Sequence, residues 1–244
     1  MSGHSHAKTI KHDKELADKK RGAAFTKVIR LITVAVKEGG TNPETNTRLR
    51  MAIDAAKNVN MPKANVEAAI ERAGGATDTA ALSDFLFEAY GPGNTALLIE
   101  GITDNRNRVL GEIKQILAQH GGKLVSEGAI RWMFDRKGII VIETASQTPA
   151  MQNKENLEMQ AIEAGADDLY WYENILEIHT NCENLETVKK ALENNGIKVE
   201  SFSLGWIPKE TVEVDQKAAE QNEKLIDALS DNDSVQEVYS NLKD

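Results

Sequence analysis

In the first third of the chain, apolar residues recur every three or four positions, the spacing that places them on one face of a helix. Between residues 23 and 38 these positions are Phe25, Val28, Ile29, Ile32 and Val36. Two further segments with the same period follow, over 43–59 and from Pro62 to the Gly74-Gly75 pair. Glycine, asparagine or proline bounds each segment. The pattern predicts a three-helix domain within residues 1–81.

After residue 81 strand patterns appear. Residues 85–90 and 95–100 predict a hairpin around a Gly-Pro-Gly-Asn turn, followed by a helix over 106–119 and strand material at 124–125 and 130–134. The C-terminal segment predicts strands at 211–214 and 235–239 on either side of a helix over 216–229. Neither group completes a sheet by itself. We therefore predict a discontinuous α/β domain made of residues 82–134 and 207–244.

The segment between these two parts predicts a complete βαββαβ order over residues 135–206. Its predicted elements are strand 138–143, helix 153–165, strands 168–171 and 174–178, helix 185–194 and strand 197–204. This order is that of the ferredoxin-like split βαβ arrangement. The predicted fold class is α+β: an N-terminal three-helix domain followed by two ferredoxin-like α/β domains, one inserted in the other.

Positive charge is concentrated at the start of an acidic chain. The whole chain of 244 residues carries a net charge of −9, yet residues 3–37 hold nine Lys or Arg against three acids. At about 100° per residue, Lys27, Arg30 and Lys37 fall on the side of the first helix opposite its apolar face, and Lys20 joins them if the helix runs back through Gly22. This distribution favours contact with a polyanion, although a charge run is also typical of a solvated helix face.

Several classes of function are disfavoured by the composition and motifs. Cys182 is the single cysteine, which permits no internal disulfide and no thiolate metal cluster. No apolar run approaches the roughly 18 residues of a membrane span, and we expect no secretory signal because the opening has no apolar core segment. The usual nucleotide-binding, metalloprotease and hydrolase motifs are absent. We expect a cytoplasmic, non-enzymatic protein without cofactor, metal, membrane partner or evident small-molecule substrate.

Two motifs leave alternatives open. The Gly91-Pro92-Gly93 segment can present backbone amides to a phosphate, but a hairpin turn explains it as well. Arg106 and Arg108 lie at the start of a predicted helix, where the helix dipole disfavours positive charge unless an anion or carboxylate is near. They either meet such an anion or are simply exposed beside Asp104.

The βαββαβ order is also that of an RNA-recognition motif, which stacks bases on aromatic residues of its central strands. Here those strands read GIIVIE and NILEIH, with no aromatic residue in either, and the chain holds only five Phe, four Tyr and three Trp. Contacts to the phosphate backbone would therefore have to dominate any nucleic-acid binding, and the affinity would fall steeply with salt.

Short motifs along the whole chain resemble those of the YebC/PmpR family. They are GHS at 3–5, IKH at 10–12, KRG at 20–22, FTK at 25–27, NMPK at 60–63, YGPG at 90–93, TDNRNR at 103–108, GGKL at 121–124, WMF at 132–134 and VYSN at 238–241. The resemblance implies a helical domain plus two α/β domains, one inserted in the other. It also implies a cytoplasmic regulator of transcription that binds DNA and has no catalytic activity. Other members are linked to the ribosome, and mitochondrial relatives resemble translational activators.

The candidate site is a set of cations expected to contact phosphates: Lys8, Lys11, Lys19, Lys20, Arg21, Lys27, Arg30, Lys37, Arg106 and Arg108. The first hypothesis is a DNA-binding transcriptional regulator. The alternative is a ribosome-associated translation factor that binds ribosomal RNA through the same face. A third interpretation is an acidic scaffold that docks proteins.

Overall fold

The computed structural model describes residues 18–75 and 82–243. In chain order the helices are α1 (Asp18–Gly39), α2 (Thr47–Asn58), α3 (Lys63–Gly75), α4 (Arg106–Gln119), α5 (Lys154–Ala164), α6 (Leu185–Asn194) and α7 (Gln216–Ser230). The strands are β1 (Ser83–Tyr90), β2 (Ala96–Thr103), β3 (Lys123–Leu124), β4 (Phe134–Glu143), β5 (Asp168–Tyr172), β6 (Ile175–Thr180), β7 (Ser201–Pro208) and β8 (Val235–Ser240).

Helices α1 to α3 form the helical domain. Its core pairs large aliphatic residues such as Ile32 and Leu49 with alanines, which let the helices approach closely. Asn46 fixes the α1–α2 connection: its Oδ1 accepts the Leu49 amide at 3.0 Å as a helix cap, and its Nδ2 donates to the Ala35 carbonyl at 2.7 Å. The end of α1 and the start of α2 are thus tied together.

The middle domain consists of the antiparallel sheet β3-β1-β2-β8 with α4 and α7. Its central strands are the consecutive hairpin β1–β2, and β8 from the C-terminal segment pairs with β2. Buried residues of β1 and β2, among them Phe87 and Ile99, share one core with Ile113 of α4 and Leu225 of α7. One face of this sheet is therefore covered by the two helices.

The inserted domain consists of the antiparallel sheet β5-β6-β4-β7 with α5 and α6. This strand order, with the β5–β6 hairpin at one edge and the first and third strands in the centre, is the order of the predicted split βαβ arrangement. Ile140 and Ile178 of the central strands pack against Leu157 of α5 and Val188 of α6. The predicted α+β fold class is confirmed.

The three domains contact one another directly. The face of the middle sheet that the helices leave open packs through Leu98 and Tyr239 against Phe134 of β4 and Trp206 of β7. On the other side, Arg50 of α2 binds Glu186 of α6 through two hydrogen bonds, one of them 2.7 Å long. The helical domain therefore contacts the inserted domain through this ion pair.

Three predicted strands are wrong in detail. The strand predicted at 130–134 is a 3-10 turn, Arg131–Met133, before β4 begins at Phe134. The strand predicted at 197–204 begins only at Ser201. The strand predicted at 211–214 is reduced to one isolated bridge, Val212 to Leu242. The domain boundaries after residues 81, 134 and 206 stay a prediction.

Candidate nucleic-acid interface

Helix α1 carries most of the candidate cations that the structure describes. Lys19, Lys20 and Arg21 lie in its first turns, and the Arg21 side chain is exposed. Lys8 and Lys11 lie outside the described residues. No described helix is both long enough and apolar enough to traverse a membrane, and the described residues hold no group of three or more His, Cys, Asp or Glu suited to a metal ion.

The middle of the predicted basic stripe contacts the protein itself. Lys27 donates from Nζ to the Ser230 carbonyl at the end of α7 at 2.5 Å. Arg30 donates from Nη1 to the Ile102 carbonyl at 3.1 Å and to Ser234 Oγ at 2.9 Å. Both side chains are half-buried. The middle domain therefore contacts the centre of the predicted basic side of α1, and a role of Lys27 and Arg30 in phosphate binding stays a prediction.

Lys37 continues the same side of α1 beyond that contact. Its side chain is exposed in the last turn of the helix, where the dipole favours a cation. Its neighbour Glu38 is instead engaged by Arg48, which bridges Glu38 at 2.6 Å and Asp84 at 2.7 Å. Across residues 18–75 and 82–243, no carboxylate pairs with Lys37. Its charge is available to a ligand.

The two arginines at the start of α4 are in different situations. Asn105 caps the helix, with Oδ1 accepting the Arg108 amide at 3.0 Å. Arg108 forms ion pairs with Asp104 at 2.8 Å and Glu112 at 3.6 Å, so its charge is largely compensated. Arg106 is exposed and lies 5.3 Å from the centre of the Phe87 ring, and it forms no ion pair with any described residue. Only Arg106 of this pair offers an uncompensated charge.

The Gly-Pro-Gly segment is the turn of the β1–β2 hairpin, with a 3-10 turn over Pro92–Asn94. Asn222 of α7, which is fully buried, donates from Nδ2 to the Pro92 carbonyl at 2.9 Å. A Cβ on Gly91 would lie only 2.4 Å from Asn222 Oδ1, and Gly93 has a φ of 68°. Close packing on α7 and a left-handed backbone thus explain both glycines.

The inserted sheet is unsuited to stacking bases on its central strands. The β6 side chains directed away from α5 and α6 include Glu177 and His179, both buried, with His179 Nε2 2.7 Å from Glu177 Oε1. Neither residue can offer an open aromatic face. The two central strands, GIIVIE and NILEIH, also contain no Phe, Tyr or Trp.

The 3-10 turn Arg131–Met133 has no role predicted from the sequence, although Trp132 and Met133 belong to the WMF motif of the family resemblance. In the structure Trp132 is 67% exposed, the largest exposed fraction among the large apolar side chains described. Arg131 beside it is also exposed and lies 5.1 Å from the centre of the Trp206 ring. The period of apolar residues gives no signal for such a pair, since exposure in a loop leaves no repeating pattern.

Arg136 contacts the same Trp206 ring as Arg131. It donates two hydrogen bonds of 2.8 and 3.0 Å to Glu100, and its guanidinium lies 5.1 Å from the centre of the Trp206 ring. Burial is the largest influence on this guanidinium and disfavours its charge. The hydrogen bonds and the charge of Glu100 outweigh burial, so the pKa of Arg136 is raised above its ordinary value. Arg136 is a permanent structural cation.

Comparisons with known proteins cover nearly the whole chain. Residues 5–76 match the family model described as the TACO1/YebC protein N-terminal domain, and residues 82–242 match the one described as the TACO1/YebC second and third domain. A "probable transcriptional regulatory protein" of Caldanaerobacter subterraneus subsp. tengcongensis is 44% identical over 243 residues, covering 100% of this chain and 98% of that relative.

A protein of the same description from Pseudothermotoga lettingae is 45% identical over 243 residues, covering 100% of this chain and 94% of its own length. The crystal structure of a conserved hypothetical protein from Aquifex aeolicus superimposes with a TM-score of 0.85 at 38% identity, covering 93% of this chain and 91% of that one. Both domain matches and these relatives confirm the resemblance found in the sequence motifs. The chain belongs to the TACO1/YebC family.

Proposed function

We propose that this chain is a non-enzymatic regulatory protein that binds nucleic acid, and that its target as a transcriptional regulator is DNA. The names of its relatives support the regulatory role, since they are described as probable transcriptional regulatory proteins. The nucleic-acid partner follows from the charge of the chain itself.

The observation that carries the proposal is the segregation of charge around α1. Residues 3–37 hold nine bases and three acids in a chain of net charge −9. Within α1, Arg21 and Lys37 are exposed, and Arg30 donates to neutral oxygens, so its positive charge is not cancelled by them. A cationic helix on an acidic body is complementary to a phosphate backbone.

The contacts expected from this surface are electrostatic. We expect Lys8, Lys11, Lys19, Lys20, Arg21 and Lys37 to approach phosphates, with Arg106 as an additional contact. Lys27 and Arg30 serve mainly to hold the helical domain against the middle domain, and Arg108 is compensated by its two carboxylates. Binding of this kind weakens strongly as salt is raised, because it releases counterions from the nucleic acid.

The direct test is charge reversal at the start of α1. We expect K19E/K20E/R21E to weaken binding to duplex DNA at least about tenfold at physiological salt and to lower the slope of log K against log salt by about 2 to 3. Fluorescence anisotropy over a salt series measures both quantities. The matched control is K114E/K217E/K224E, which reverses three exposed lysines on α4 and α7 with the same change in net charge. Equal binding curves for the two variants would contradict the proposal.

Ribosomal RNA is the second candidate target, and the composition of α1 favours it. The α1 sequence DKKRGAAFTKVIRLITVAVKEG contains no Asn or Gln, two of the side chains that commonly read bases in the major groove. Contacts without base readout suit a target recognised by shape. Two experiments distinguish these targets. In a pull-down from cell extract, ribosomal proteins that are lost after ribonuclease treatment indicate a ribosomal target. In a gel-shift assay, tighter binding to promoter DNA than to random DNA indicates transcriptional regulation.

A further inference from the structure

The turn Arg131–Met133 is held in one place by a buried carboxylate. Glu88 on β1 is 2% exposed, and its carboxylate accepts the backbone amides of Gly128 at 2.6 Å, Ile130 at 2.5 Å and Arg131 at 2.9 Å. Hydrogen bonds to a charged acceptor are among the strongest in proteins. The loop between β3 and β4 is therefore anchored immediately before the turn, and the side chains that follow have a defined position.

Trp132 is presented to solvent by this anchored turn. Its indole is 67% exposed, and Nε1 donates to the Ala129 carbonyl at 2.9 Å. The polar edge of the ring is thus satisfied within the loop, and the orientation of the ring is set. Burial of an indole stabilises a protein strongly, and this ring forgoes most of that stabilisation.

Arg131, which precedes Trp132 in the same 3-10 turn, adds an exposed positive charge to this turn. Its guanidinium lies 5.1 Å from the centre of the Trp206 ring, and Arg136 lies at the same distance from that centre, anchored by Glu100. Arg131 is exposed, and no described carboxylate forms an ion pair with it. The nearest exposed acid along β4, Asp135, is paired with Lys209 at 3.4 Å.

We infer that Arg131 and Trp132 form a second contact site that takes single-stranded nucleic acid, with an unpaired base stacked on Trp132 and a phosphate bound by Arg131. An aromatic face combined with an adjacent cation is the arrangement that binds single strands without base-specific hydrogen bonds. This inference rests on the proposed nucleic-acid-binding function and adds to it the requirement for unpaired bases.

The surroundings of Trp132 argue against a protein partner. Protein hot spots bury an aromatic residue in a pocket surrounded by further apolar contacts. Here the loop residues Ser126, Glu127, Gly128 and Arg131 are exposed, and Ala129 and Met133 of the same loop are half-buried. A stacked base needs only one accessible ring face, and the Trp132 side chain is 67% exposed.

The test compares substitutions of Trp132 on single-stranded and duplex probes. With fluorescein-labelled single-stranded RNA, we expect W132A and W132L to weaken binding roughly 5- to 100-fold, since one stacked base contributes that much to affinity. W132F keeps a ring and should retain most of the affinity. With duplex DNA all three variants should bind as the unsubstituted protein does. The matched control is I162A, which truncates an apolar side chain of α5 that is 63% exposed.

A single-stranded DNA probe of the same sequence identifies the source of the base. If W132A loses more affinity for the RNA probe than for the DNA probe, the ligand is RNA. If it loses equal affinity for both, the site takes unpaired bases of either kind. The outcomes also separate this inference from the proposed function. If the unsubstituted protein binds no nucleic acid, both fail. If K19E/K20E/R21E weakens binding but W132A does not, only the inference fails. Affinity retained by W132L, or an equal loss on duplex DNA, would likewise overturn it.

Discussion

At the scale of single residues, the buried Glu88 anchors the loop between β3 and β4. Its side chain is buried on the face of β1 opposite the helices, and three backbone amides converge on its carboxylate. Those amides belong to the segment 128–131, for which the sequence predicts strand material at 130–134. Because these amides donate to the Glu88 side chain, they are not available to pair with a neighbouring strand, and the segment forms a turn instead.

We predict that Glu88→Gln lowers the free energy of unfolding by about 1 to 3 kcal/mol, because an amide group removes one acceptor and leaves at least one buried N–H without a partner. Urea denaturation measures this change, and hydrogen exchange at Gly128 and Ile130 should accelerate. Glu127→Gln is the control, since Glu127 is exposed in the same loop and its substitution should change stability by no more than about 0.5 kcal/mol. Equal stabilities of the two variants would show that the carboxylate does not anchor the loop.

The candidate cations show what the sequence can and cannot indicate about single side chains. Helical period correctly separates Lys27 and Arg30 from the apolar face of α1. It cannot indicate that residues 102, 230 and 234, distant in sequence, supply acceptors for them. Arg106 and Arg108 differ in a way that local spacing can indicate. Asp104 and Glu112 lie four residues before and after Arg108, the spacing at which helical side chains meet, and both form ion pairs with it.

At the scale of elements, helices were predicted more closely than strands. Helix α6 occupies Leu185–Asn194, the range expected from its period and its terminal Asn-Gly. Strand limits depend on partners elsewhere in the chain: β7 extends to Pro208 because it pairs with β4 as far as Phe134. The segment predicted as a strand at 211–214 forms only the isolated bridge between Val212 and Leu242. Its sequence pattern therefore did not lead to pairing with a neighbouring strand. Period reports burial of a segment and carries little information about its pairing.

The pairing of β2 with β8 contains an irregularity that requires glycine. The register shifts between Glu100 and Gly101, where a Cβ on Gly101 would lie 2.1 Å from the Ser234 carbonyl oxygen. Gln236, in the bulged stretch of β8, donates from Nε2 to the Lys27 carbonyl of α1 at 3.4 Å. The bulge therefore shapes the surface on which the helical domain docks.

We predict that Gly101→Ala lowers the free energy of unfolding by about 3 kcal/mol or more, since a backbone oxygen cannot move aside as a flexible side chain can. Thermal or urea unfolding measures the loss. Gly111→Ala is the matched control: a Cβ there meets nothing within 4 Å on helix α4, so it should raise stability by about 0.5 to 1 kcal/mol. A Gly101→Ala protein as stable as the control would contradict the crowded geometry of the bulge.

At the scale of the whole molecule, basic side chains connect the helical domain to both α/β domains. Arg50 binds Glu186 of the inserted domain, Arg48 binds Asp84 of the middle domain, and Lys27 with Arg30 bind the turn between α7 and β8. Burial is the strongest influence on Arg48 and opposes its charge, but Asp84 and Glu38 outweigh it and raise the pKa of Arg48. Part of the basic character that the sequence presents as a ligand surface is thus structural.

Removing the contacts of α1 tests this arrangement. We predict that Lys27→Gln with Arg30→Gln loosens the docking of the helical domain by about 2 to 4 kcal/mol, because hydrogen bonds from charged donors to carbonyl and hydroxyl oxygens are lost. Small-angle scattering should show a larger radius of gyration, and hydrogen exchange in α1 should rise. Lys37→Gln is the control on the same side of the helix, where no described carboxylate pairs with the side chain. Unchanged scattering and exchange in the double variant would show that Lys27 and Arg30 do not hold the helical domain in place.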